Sequence, residues 1–347
     1  MPAGKPAVKP GMYDIYPAHR LDEGLIFTGF ESLAREIAKY PIVIIDGYQG
    51  VFFEEIRALL QKCFRDMGLS VNWISASLAQ KPENEIDPMI MPFLGGDDPL
   101  FGTRTTLSLP DFFDAEKLNA IKADAAFDLN IVYGTGAALS PVMGLLVYFD
   151  LPKNELQFRA RAGSATNFGA EEPGDYGQMY KRFYFVDWVV LNGHKQEILD
   201  RIDVIADGQR PGEVNWAFGD DIRKGLHEMS RSVFRVRPWF EPGVWGGSWC
   251  LQNIDGLNRD VPNYAWSFEL IVPENGLIFE SAGLLLEVSF DMLMFREGLN
   301  VLGDAFERFG TEFPIRFDFL DTFDGGNLSV QVHPTENYTL KHFNEKF

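Results

Sequence analysis

The sequence is poor in cysteine, short of basic residues relative to acidic ones, and free of long apolar runs. Its two cysteines, Cys63 and Cys250, stand far apart, and neither belongs to a C-x-x-C pair. No secretory signal pattern opens the chain, so the expectation is a reduced, cytoplasmic setting. Thirty-one Lys and Arg against fifty Asp and Glu leave a formal charge of −19. That balance argues against nucleic acid or an anionic membrane surface as partner. A phosphorylated substrate stays open, because a local Arg and Lys cluster can oppose the overall sign. No apolar run approaches membrane-spanning length: Ile42–Ile45 and Gly144–Tyr148 are strand-sized.

What is present is a packed α/β pattern. Hydrophobic residues make up 46% and aromatic residues 14% of the 347 positions, which fits a globular protein of two domains. Residues 1–25 read as a loose arm. Phe30–Tyr40 reads as a helix, Pro41–Asp46 as a buried strand, and Val51–Met67 as a second helix. Val71–Ser77, Phe127–Tyr133 and Leu145–Asp150 follow as strands, with a helix after Asp111. Lys153–Ala162 reads as a basic amphipathic helix. Residues 163–178 read as an exposed loop, Phe183–Leu191 as a strand, His194–Ile202 and Asp220–Ser232 as helices. Strands alternating with helices predict a doubly wound, mostly parallel sheet over residues 1–235. Arg159, Arg161, Lys181 and Arg182 read as solvated helix faces, and His194 and His227 as surface or cap residues. Gly134-x-Gly136 is too short a pattern for a dinucleotide site.

Pro41–Asp46, the turn Gly47-Tyr48-Gln49-Gly50 and the helix after it stand in the order of a phosphate-binding loop. A working loop continues with Gly-Lys-Ser/Thr, for phosphate charge and magnesium. Here Val51-Phe52-Phe53 follows instead. The segment resembles uridine-kinase-like P-loop proteins, as a copy without the charge-bearing residues, and is expected not to transfer phosphate.

From Arg235 on, the character changes to Gly-Gly turns and aromatic strands, so residues 236–347 form the second expected domain. Its landmark is Asn327–Pro334. Leu328, Val330 and Val332 alternate with Ser329, Gln331 and His333, which in a strand puts Gln331 and His333 on one face. An amide oxygen and an imidazole two residues apart can both reach a divalent cation, and Pro334 ends the ladder. The stretch Phe313–Pro334 resembles type I mannose-6-phosphate isomerases. Trp245-Gly246-Gly247 and Ser267–Leu270 resemble earlier landmarks of that family, in order, although Trp266 and Phe268 depart from its Glu and Trp.

The resemblance implies a β-rich, partial cupin-like domain with Gln331 and His333 as zinc ligands. It also implies mannose 6-phosphate or fructose 6-phosphate as substrate and aldose–ketose isomerisation as the reaction. The family's other two ligands, a Glu and a His, lie further along, whereas Phe347 comes fourteen residues after His333. Residues 1–347 are therefore expected to be an N-terminal piece, inactive alone and weak in zinc, with no catalytic base assigned. The competing expectation is a non-catalytic carbohydrate-sensing or regulatory protein in which both sites have decayed.

Overall fold

The computed structural model describes residues 1–272 and 274–345. Its strands are, in chain order, β1 (Ala18–Arg20), β2 (Phe27–Thr28), β3 (Ile42–Gly47), β4 (Val71–Ser75), β5 (Leu129–Tyr133), β6 (Leu145–Asp150) and β7 (Val204–Asp207). They continue as β8 (Asn215–Phe218), β9 (Trp239–Glu241), β10 (Trp266–Ile271), β11 (Gly276–Ser281), β12 (Leu284–Ser289) and β13 (Arg316–Leu320). A seven-stranded sheet runs β2-β8-β7-β6-β3-β5-β4. The five strands β7-β6-β3-β5-β4 are parallel, and β8 and β2 close one edge antiparallel. The mixed α/β class with a mostly parallel sheet is thus present.

β5 and β6 are buried at every position, as strands covered on both faces must be. The helix Phe53–Asp66 covers one face through Ile56, Leu60, Cys63 and Phe64, a helical stripe. On the opposite face β11 and β12 pack against the sheet. Ile44, Leu146 and Ile205 share one buried cluster there with Leu277, Leu286 and Leu293. A boundary at residue 235 would pass through this shared cluster. β1 joins β11 in parallel and β12 completes that small sheet. A third sheet, β13-β10-β9, is antiparallel and carries a bulge between Phe268 and Leu270.

Three expectations are corrected. The first 25 residues are no loose arm: besides β1, Lys5 N–H donates to the Gly283 carbonyl at 2.8 Å and Leu285 N–H to the Ala3 carbonyl at 2.9 Å. Phe183–Leu191 is helical, a π turn at Phe183–Asp187 running into the helix Trp188–Ile198. Its side chains are buried nearly throughout, with Tyr184 and Val189 half-buried, and a helix buried on most sides shows the same continuous apolar run as a buried strand. Residues 327–334 form no strand. Among the described residues no strand pairs with that backbone, and Val330 and Val332 are 97% and 91% exposed.

Candidate functional site

The chain leaves β3 toward β4, returns to β5, then crosses β3 to reach β6. Connections therefore diverge at β3, and a doubly wound sheet opens a crevice at the carboxyl ends of the strands at such a point. A cavity of about 660 Å³ lies there. Its wall is made by residues 49–54 after β3, by Ser75 and Ser77 after β4, by Tyr133–Thr135 after β5, and by the loop 163–171.

Four amides at and just after the Gly47–Gly50 turn are engaged within the protein. Gly47 N–H donates to the Asp46 carboxylate at 2.7 Å and Tyr48 N–H to the Phe149 carbonyl at 3.0 Å. Val51 N–H donates to the Tyr48 carbonyl at 3.3 Å and Phe53 N–H to the Val51 carbonyl at 3.0 Å. A phosphate cradle needs such amides free. Gly50 has φ +86°, and a Cβ there would come 2.7 Å from Leu156 Cδ1, so the turn demands glycine. Arg159, 4% exposed, spends its donors on groups of the protein itself. It donates to the carbonyls of Gly50, Gly208 and Gln209 at 2.6, 3.0 and 2.8 Å and pairs with Glu155 at 3.1 Å.

The helix after the turn begins with Glu54 and Glu55, which already satisfy the positive end of its dipole. Glu54 accepts from the Tyr133 hydroxyl at 2.7 Å. That bond, and Arg57 beside it, hold the Glu54 carboxyl below its usual range in spite of partial burial. Lys81, on the cavity wall, donates to the Asp111 carbonyl at 2.8 Å. The loop 163–171 is not simply exposed, as the sequence suggested: Asn167 Nδ2 and Phe168 N–H both donate to Asp187 Oδ2, at 2.7 and 3.2 Å. Asp187 also pairs with Arg182 at 3.3 Å. Burial raises the Asp187 carboxyl, and Arg182 opposes that shift.

Behind the cleft lies a buried charge quartet. Lys195 Nζ stands 2.9 Å from Asp150 Oδ1 and donates to Ser289 Oγ at 2.6 Å, while Lys153 pairs with Asp291. Lys195 also lies 4.3 Å above the Tyr48 ring. Burial would raise the Asp150 carboxyl, yet Lys195 and the two Ser289 bonds hold it below the usual range. Burial lowers Lys153, against the pull of Asp291.

His194 is corrected from a surface residue to a buried one, with Nε2 at 2.8 Å from Asp46 Oδ2. Asp46 also accepts from the N–H groups of Gly136 and Ala138 at 2.9 Å each. His227 Nδ1 lies 3.1 Å from Glu297 Oε2. Of the residues read as solvated, Arg159, Lys181 and Arg182 are buried and bonded, while Arg161 stays exposed and pairs with Glu241 at 2.7 Å. Arg159 has one local partner, Glu155, and Arg182 another, Asp187; the remaining bonds run to backbone carbonyls brought near only by folding.

Gln331 and His333 are both exposed, on irregular backbone. His333 borders a separate cavity of about 520 Å³ that also meets Glu336 and Glu345, but Glu345 is held by Arg104 at 2.8 Å. Among the described residues no group of three His, Cys, Asp or Glu side chains converges as a metal would need. The residues present do not by themselves fit a resident zinc, and no chemistry is routed through one.

The fold and cleft thus define an α/β protein with a mostly parallel seven-stranded sheet and a crevice at its switch point. Residues 29–231 match the family described as Domain of unknown function (DUF8485), and the chain belongs to that family. The match spans the parallel sheet and the whole wall of the cleft. No curated protein matches the chain. Among the described residues no helix is long and apolar enough to cross a membrane.

Proposed function

We propose that this is a sugar-phosphate isomerase of the mannose-6-phosphate isomerase type, joined to a kinase-like sheet that holds a ligand without transferring phosphate. One observation carries the isomerase reading. Phe317, Phe319 and Leu320 on β13 stand exposed, and so do Leu328, Val330 and Val332 on the segment that carries Gln331 and His333. Apolar side chains laid out this way make the surface that a closing barrel wall buries. Interconversion of an aldose and a ketose phosphate moves a proton between adjacent carbons, so it needs a base at that carbon and a cationic grip on the phosphate. Gln331 and His333 are the residues the resemblance places at a metal. The test is the gene product as expressed in its own cell, assayed for interconversion of mannose 6-phosphate and fructose 6-phosphate with and without added zinc. Turnover that vanishes in His333→Ala is expected. Turnover that His333→Ala leaves unchanged, or none with metal bound, overturns the isomerase.

The non-catalytic alternative, a carbohydrate-sensing protein, is favoured by the engaged amides at the Gly47–Gly50 turn and by the missing third ligand. It predicts ligand binding with neither isomerisation nor phosphate transfer. The kinase-like half of the proposal is supported by the order β4-β5-β3-β6-β7 with the glycine turn after the central strand.

A further inference from the structure

We infer that the 660 Å³ cleft takes a neutral, hydroxyl-rich molecule of monosaccharide or nucleoside size, and not a nucleotide's phosphates. The inference rests on the proposal that the cleft holds a ligand without transferring phosphate, and adds the chemistry of that ligand.

Charge comes first. Glu54, Glu83 and Glu171 line the cavity against a single lysine, Lys81. The lysine is engaged by the Asp111 carbonyl, and Glu54 is held ionised by Tyr133. A polyphosphate entering here would meet carboxylates, and four amides of the turn and helix start are already engaged. A neutral ligand meets no such barrier, and its hydroxyls can donate to Glu54.

Unpaired amides come second. Gln49 is 6% exposed; its Nε2 donates to the Thr166 carbonyl, while its Oε1 has no partner. Gln80 Nε2, also buried, has none either. Both side chains line the cavity. An unpaired buried donor or acceptor is destabilising and calls for an occupant. Here the vacancies are one acceptor and one donor. A hydroxyl satisfies both kinds, because it donates once and accepts twice. Ser75 and Ser77, whose hydroxyls are 2.8 Å apart, extend the same chemistry along the wall.

Shape comes third. Phe52, Phe53, Tyr133 and Phe168 share the lining. Aromatic faces with a few convergent polar groups make a small-molecule site, and such faces accept the C–H side of a sugar ring or the plane of a base.

The experiment is calorimetric titration of the full chain in separate arms: mannose, glucose and ribose; uridine and adenosine; magnesium ATP; inorganic phosphate. Saturable binding in a neutral arm is expected, and which arm responds tells sugar from nucleoside. Gln80→Leu should weaken that binding roughly tenfold, the loss of one hydrogen bond. Gln49→Leu should do the same, and if it fails to fold, the half-buried Gln80 carries the test. Three results overturn the inference: no neutral ligand binding up to about 10 mM, phosphate or ATP binding more tightly than every neutral probe, or neutral binding unmoved by Gln80→Leu. Phosphate transfer from ATP would instead sink the underlying reading of a non-transferring cleft. An absent neutral ligand alone leaves that reading standing.

Discussion

Replacing Lys195 by Met tests the buried quartet most directly. Lys195 and Asp150 are both fully buried, 2.9 Å apart. With an effective dielectric near 20, their gross attraction is about 6 kcal/mol. Much of it is offset by the desolvation of both ions, so the informative quantity is the loss on removing one partner. Lys195→Met leaves Asp150 and Asp291 facing Lys153 alone, an uncompensated buried negative charge. Such losses run about 3–5 kcal/mol. The double variant Lys195→Met with Asp150→Asn restores neutrality and should lose less than the sum of the singles, by at least about 1 kcal/mol. Urea unfolding followed by tryptophan fluorescence reads both.

The pH dependence gives a second reading of the same pair. In the wild type the Asp150 carboxyl is depressed, so its contribution is complete above the usual carboxylate range and is lost only as pH falls below about 4. In Lys195→Met, burial without its partner should raise that carboxyl, and the variant should then lose further stability as pH rises through the shifted value. A loss under about 1 kcal/mol for Lys195→Met, or strict additivity in the double variant, refutes the account of a tightly coupled pair.

Other outcomes follow from the same geometry. Burial pushes the Cys250 thiol to about 12, helped by Asp321, and also raises Cys63. A thiol reagent at pH 8 should therefore find no reactive cysteine in the native protein and two in denaturant; one fast native thiol would contradict this. Gly50→Ala should destabilise by about 1–3 kcal/mol, from its positive φ and the clash with Leu156, and an unchanged urea midpoint would show the turn to be slack. Purified protein should show no ATP turnover above background, because four of the amides at the turn are engaged and no lysine follows it to carry the γ-phosphate charge. Turnover that is lost on mutating Gly47 would reverse that conclusion.

Where the chain is covered on both sides, its pattern was legible. β3, β5 and β6 read directly as continuous apolar runs. The same logic misread Phe183–Leu191, because a helix buried all round also lacks periodicity. Lys153, Arg159 and Lys195 were invisible as core residues, since their burial depends on partners brought together only by folding: Lys195 meets Asp150 and Ser289 across three elements. His194 and Asp46 are separated by 148 positions. Alternation at Leu328–His333 suggested a strand, but alternation states only which faces a strand would have. Pairing needs a neighbour, and among the described residues none lies beside that segment.

The place of β1 sets a schedule for folding on the ribosome. Ala18 pairs with Ile278, about 260 residues downstream. At roughly 5–20 residues per second, β1 waits on the order of 13–52 s for its partner. Through that interval its backbone N–H and C=O groups have no ladder to join, and the surface it will pair with has not yet been made. Nascent chains of this protein therefore have an early segment open to chaperones and proteases until most of the sequence has been synthesised.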